Sequence, residues 1–187
     1  QEGKREKNIN EVKTFPVPFP LRENQGKLTI NTNHPAKSFK EQLINQAVNF
    51  HVQGNTLEAA KYYQEFINQG YKDAIAFSNF GTILKGLGNL QDAESSYRKA
   101  IEIKPDYAEA HYNLGNTLND LGNLEDAELS YSKAIELNPN FPEVHSNLGN
   151  VLRDLGKLKE ARLCSEKIMS LRSWSIAGSY SFNYEMI

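Results

Sequence analysis

The sequence predicts an all-α fold of stacked helical hairpins, and three observations carry that prediction. Thirty-four residues separate Gly81 from Gly115 and Gly115 from Gly149, and the strings LGNLQDAESSYRKAIEIKP and LGNLEDAELSYSKAIELNP follow the first two of these glycines. A fixed period of this size is the mark of a repeat architecture. Within a period the apolar positions recur at helical spacing: His111, Leu114, Gly115 and Leu118 form one stripe, and Leu124, Ala127, Tyr131, Ala134 and Ile135 form a second. Between the stripes lie Gly122, free to adopt positive φ, and Asn123, which supplies a capping side chain; Pro139 follows the second stripe and cannot continue it. The unit is therefore helix, tight turn, helix. Gly115 and Ala127 carry little or no side chain where the two helices meet, so larger groups there would push them apart.

These residues resemble the tetratricopeptide repeat, whose pattern is W-x2-L-G-x2-Y, then A-x3-F, then P. Here it reads Phe77-x2-Phe80-Gly81-x2-Leu84, Ala93-x3-Tyr97 and Pro105, then His111-x2-Leu114-Gly115-x2-Leu118, Ala127-x3-Tyr131 and Pro139. A third copy, His145-x2-Leu148-Gly149-x2-Leu152 with Ala161, departs late, with Ser165 at the aromatic position and Ser173 at the proline. An earlier copy keeps Gly54, Asn55, Ala59 and Tyr63 in register but has Ala47 for the first glycine. The resemblance implies a right-handed superhelix of about four repeats with degenerate ends, at 40–73, 74–107, 108–141 and 142–172 within an array spanning 38–172. Degenerate ends suit units that pack on only one neighbour.

Residues 1–37 form a leader rich in Asn, Lys, Glu and Pro with no useful period, expected to be mostly disordered. Its stretch Phe15-Pro16-Val17-Pro18-Phe19-Pro20 is held extended by its prolines, and it reads either as a docking peptide for an aromatic groove or, more commonly for such segments, as a spacer. Ser38 with Glu41 three residues on predicts a capping box for a helix Phe39 to Gln53, followed by a helix Leu57 to Asn68. After Leu171 the period fails, leaving residues 173–187 as an irregular, aromatic-containing tail. The outer face of the last hairpin is then covered by that tail, met by another chain through association at the C-terminal hairpin, or continued by a longer protein.

Composition narrows the function. Of 187 residues, 39% are apolar and 24% charged, as in ordinary globular proteins, and a net charge of −2 offers no general attraction to nucleic acid or an anionic membrane. No run spans a bilayer, and no signal-like apolar core follows Lys4, Arg5 and Lys7, so a cytoplasmic protein is expected. Cys164 is the single cysteine, which excludes an intrachain disulfide and suggests an inert, semi-buried thiol. His111 and His145 lie one period apart at a packing position held by Phe77 in the copy before, without a carboxylate or thiol at ligand spacing, so no metal is expected. No G-x4-G-K-[ST] loop exists. Neither cofactor nor catalysis is expected.

The binding surface is legible from phase. Positions 2, 5, 6, 9, 12 and 13 of each leading helix share one face, which in the resembled family lines the concave groove. It holds Ser78, Asn79, Thr82 and Lys85; then Glu109, Tyr112, Asn113, Asn116, Asn119 and Asp120; then Glu143, Ser146, Asn147, Asn150, Arg153 and Asp154. Asn79, Asn113 and Asn147 make one column at the period, and Asn116 with Asn150 a second. An amide carries both donor and acceptor, so such a column can pair with the backbone of an extended peptide; it is similar to the asparagine ladder in the repeat arm of O-linked N-acetylglucosamine transferases. Equally, the amides read as bonding across repeats, or as recurring merely because repeats duplicate. The repeat domains that clamp a C-terminal carboxylate need a lysine where this chain has Ser78 with Thr82, Tyr112 with Asn116, and Ser146 with Asn150, so that ligand class is rejected. The function expected is a non-enzymatic scaffold binding a peptide or protein surface. The alternative is a substrate-recruiting leader of a larger glycosyltransferase, sulfotransferase or methyltransferase, which a catalytic domain in the same reading frame would favour.

Overall fold

The computed structural model describes residues 38–181, with side chains through Leu171. Over these residues the chain forms eight helices: α1 Phe39–Val52, α2 Thr56–Asn68, α3 Ala74–Gly86, α4 Leu90–Ile103, α5 Ala108–Asp120, α6 Leu124–Leu137, α7 Pro142–Asp154 and α8 Leu158–Ser181. The described residues contain no strand. Each odd helix pairs with the even helix after it, α2, α4 and α6 each pack on the hairpin that follows, and α3, α5 and α7 touch in turn. The leading helices α3, α5 and α7 therefore form a continuous wall, and the fold is a helical-hairpin solenoid. The leader's expected disorder, the Phe15 to Pro20 segment and the end of the tail lie outside the described residues.

The caps show why the elements stop where they do. Ser38 and Glu41 form the expected capping box: the Glu41 N–H donates to Ser38 Oγ at 3.3 Å, and the Ser38 N–H donates to Glu41 Oε2 at 3.0 Å. Within the hairpins, Gly122 takes φ of 79°, its N–H donates to the Asn119 carbonyl, and the Asn123 N–H donates to that of Leu118. Two carbonyls orphaned at the end of α5 are thereby satisfied, and the same pairing recurs around Gly54, Gly88 and Gly156. One expectation fails here, because the Asn123 side chain makes no cap bond, and neither do Asn55 and Asn89. The backbone of Asn123 is committed to closing the preceding helix, and its ψ of 69° falls short of the extended value that aims a side-chain oxygen at the next turn.

The core repeats with the sequence. Tyr63, Tyr97 and Tyr131 stand one period apart, buried beside Ala59, Ala93 and Ala127. A Cβ on Gly115 would sit 2.7 Å from the Tyr131 ring, and one on Gly81 2.9 Å from the Tyr97 ring, so the helices meet at a distance only glycine permits. At Gly149 the added Cβ would lie 3.4 Å from the Cys164 Cβ, because Ser165 has replaced the tyrosine.

The end of the array departs from expectation. Residues 173–181, read as irregular, continue α8. Pro105 and Pro139 lie just past α4 and α6 and stop them, whereas Ser173 at the equivalent place imposes no such break. On α6, Leu124 and Ile135 are half-buried against the core, while their counterparts one period on, Leu158 and Met169, are 64% and 71% exposed, since no described hairpin follows.

Candidate peptide-binding groove

The wall of leading helices carries a polar cleft of about 320 Å³, lined by Lys85, Asn116, Asn119, Asp120, Tyr131, Asn147 and Asn150. Three repeats contribute to it. Lys85 of α3 reaches Asp120 of α5 at 3.0 Å, an ion pair that joins adjacent repeats at the rim. Asn147 of α7 donates from Nδ2 to Asn116 Oδ1 at 2.8 Å and to the Tyr112 hydroxyl at 3.4 Å, so an asparagine of one repeat is held by two residues of the repeat before. The Tyr131 hydroxyl donates to the same Asn116 oxygen at 2.7 Å from beneath the cleft. Toward the first repeat, Asn79 Nδ2 donates to the Tyr63 hydroxyl at 3.1 Å, and Thr82 pairs with the Tyr97 hydroxyl at 3.1 Å. Toward the last, Arg153 Nη2 donates to Asn150 Oδ1 at 2.9 Å.

The predicted face is thus partly engaged with itself. Thr82, Asn119, Asp120, Asn150, Arg153 and Asp154 are exposed; Asn79, Lys85, Tyr112, Asn113, Asn116 and Asn147 are half-buried. Asn113, in the middle of its column, has no side-chain hydrogen bond to the described protein, unlike Asn79 and Asn147. Ser78, placed on this face by phase, is buried. One contributor to the cleft escaped the sequence reading. Tyr131 reads as core from its spacing, and no local signal shows that its hydroxyl reaches the cleft.

The remaining candidates are structural. His111 Nε2 donates to the Pro105 carbonyl and His145 Nε2 to that of Pro139, each at 3.0 Å, tying a leading helix to the turn that closes the previous hairpin. Cys164 is buried, and burial pushes its thiol above the ordinary range, which keeps the thiolate scarce.

Burial also pushes the hydroxyls of Tyr63, Tyr97 and Tyr131 upward, although hydrogen bonds from the groove side oppose the shift. An acid whose folded pKa is raised favours folding while it stays protonated. This stabilisation is complete below the unfolded tyrosine value of about 10 and is lost as pH climbs above it. The urea midpoint should therefore fall between about pH 10 and pH 12, and Tyr97→Phe should flatten that fall; an equally steep decline in the variant would assign the alkaline loss to other groups.

Family models place the sequence among known repeats. Models described as tetratricopeptide repeat match residues 108–141 and 130–163, and one described as TPR repeat matches 81–122. The chain carries tetratricopeptide repeats, and their stacking makes it a tetratricopeptide helical-hairpin solenoid. Among solved structures, a crystal structure of MamA matches at a TM-score of 0.72 and 22% identity, covering 74% of this chain and 81% of that one. YrrB, described as a TPR protein with an unusual peptide-binding site, matches at 0.67 and 17% identity, over 78% of this chain and 75% of its own. The first TPR of Spaghetti (RPAP3), bound to the HSP90 peptide SRMEEVD, matches at 0.60 and 23% identity, over 63% of this chain and 93% of its own. No curated protein matches the sequence.

Proposed function

We propose that this array is an interaction scaffold that holds an extended peptide, or an extended segment of a protein surface, in the trough along α3, α5 and α7. The observation that carries the reading is the cleft shared by three repeats, whose lining is amide groups, a tyrosine hydroxyl and one ion pair, with few apolar atoms. Amides and hydroxyls bind rather than transfer protons near neutral pH, which favours a non-enzymatic role. Peptide binding by YrrB and by the RPAP3 repeat supports the class of ligand, since both share the fold. An acidic C-terminus is a poor fit for this trough, because Lys85 is already paired with Asp120.

The trough changes character along its length. Val48 and Val52, one period before Thr82 and Gly86, are 40% and 83% exposed, so the end formed by the first repeat adds apolar surface beside the exposed Asn45, whereas the far end is polar. A bound segment would place aliphatic side chains over α1 and rely on its backbone over α5 and α7. No helix among the described residues is long and apolar enough to cross a membrane, and a cytoplasmic setting fits the single cysteine. The test is selection of random twelve-residue peptides on the full chain, followed by affinity measurement against Asn113→Ala with Asn147→Ala. Enrichment of peptides that the double variant no longer holds is expected; peptides held equally by both would move the binding surface elsewhere.

A further inference from the structure

The outward face of α8 is built like an interior junction that lacks its second half. Leu90 and Ile101 on α4, and Leu124 and Ile135 on α6, are half-buried on helices that the next hairpin packs against. Their counterparts on α8, Leu158 and Met169, are exposed. The first end of the array differs. Ala76, Ala110 and Val144, and seven residues later Ile83, Thr117 and Val151, are almost wholly buried on leading helices that have a hairpin before them. No described hairpin precedes α1, and one period before Ala76 and Ile83 it carries Gln42, half-buried, and Asn49, exposed. Polar side chains thus finish the first end, while apolar ones are left at the last.

Charge distinguishes the two junctions as well. Glu128 on α6 is 22% exposed and pairs at 2.6 Å with Lys157, in the turn before α8, across the repeat boundary. One period on stands Arg162, 81% exposed and paired at 2.9 Å with Glu166 of its own helix. An exposed pair of this spacing contributes little, so the guanidinium is available to a carboxylate placed as Lys157 is at the junction before.

The residues that follow do not supply the missing half. Four residues separate α6 from α7, whereas α8 runs on ten residues past Leu171, the counterpart of Leu137. That carries the chain about 15 Å beyond the point where the next leading helix would start. From Ser181, residues 182–187 span at most about 20 Å, and Leu158 lies about 35 Å back along the helix. The first hairpin of a second copy fits no better, since it brings Gln42 and Asn49 to the contact and Asn55 to the place where a carboxylate is required.

We propose that the outward face of α8 is a second interaction surface, separate from the groove, and that it takes a helical hairpin of a partner protein. The partner's leading helix presents small or β-branched residues where α7 has Val144 and Val151, and an acidic residue in the turn after it meets Arg162. The array then ends in a junction completed from outside.

The probe is a synthetic hairpin of residues 106–141 carrying Asn123→Glu, measured by calorimetry on the full chain beside the same hairpin carrying Asn123→Lys. Asn123 stands one period before Lys157, and Ala110 and Thr117 supply the contact. The acidic hairpin should bind about fivefold more tightly than the basic one, and Arg162→Glu in the full chain should reverse that order. Leu158→Asp with Met169→Asp, both at exposed sites, should lose both hairpins while circular dichroism shows the helices intact. Asn113→Ala with Asn147→Ala should hold the acidic hairpin as the parent does, which separates this face from the groove. Absence of binding, equal affinities that Arg162→Glu leaves unaltered, or loss of the probe in the groove variant would overturn the proposal. So would a full chain that sediments as a dimer and turns monomeric with Leu158→Asp, because the face would then belong to a second copy.

Discussion

Gly115→Ala should destabilise the array by about 1 to 3 kcal/mol, whereas Gly149→Ala, one period later, should leave stability unchanged or slightly raised. The two substitutions are chemically the same and sit at the same point of the repeat. They differ in what the new methyl meets: the Tyr131 ring at 2.7 Å in one case and the Cys164 Cβ at 3.4 Å in the other. The tyrosine cannot recede cheaply, because its hydroxyl is bonded to Asn116 and its ring packs against Tyr112 with centroids 6.2 Å apart. At Gly149 the methyl makes an ordinary contact, and alanine gains up to about 1 kcal/mol of helix propensity over glycine. Urea midpoints of the two variants beside the parent decide the matter. Equal stability of both would mean that close approach of ring and helix does not constrain this position.

The double variant Asn113→Ala with Asn147→Ala should lose peptide affinity by about a hundredfold, taking roughly tenfold for each amide hydrogen bond removed. Its two halves should differ in stability. Asn113 has no side-chain bond to the described protein, so its replacement should cost less than about 0.5 kcal/mol, as for a surface site. Asn147 bridges two repeats through Asn116 and Tyr112, so its loss should cost about 1 kcal/mol as well as affinity. If Asn113→Ala unfolds the array or leaves affinity intact, the middle of the column has been misread.

Those contrasts separate what local sequence specifies from what it does not. The period, the glycine turns, the Ser38 capping box and the bounds of α6 follow from residues within one turn or one hairpin, where spacing alone determines which side chains meet. The bonds across repeats in the groove do not, because they depend on Asn147 meeting residues thirty-one and thirty-five positions earlier. Ser78 shows the same limit: phase places it on the open face, but it is buried in the packed array. Asn123 fails as a cap for the opposite reason, since the tight glycine turn that makes it a natural candidate also fixes its backbone at an unsuitable ψ. The extension of α8 was legible in one residue, Ser173, whose replacement of proline removes the stop without supplying another.

The most direct measurement is the nuclear magnetic resonance of the asparagine side-chain amides as a selected peptide is added to the isotope-labelled full chain. If the trough holds the peptide backbone, the signals of Asn79, Asn113, Asn116 and Asn147 should shift together and saturate at the affinity found by calorimetry. Saturation of binding with those four signals unmoved, and shifts confined to other surfaces of the array, would contradict it.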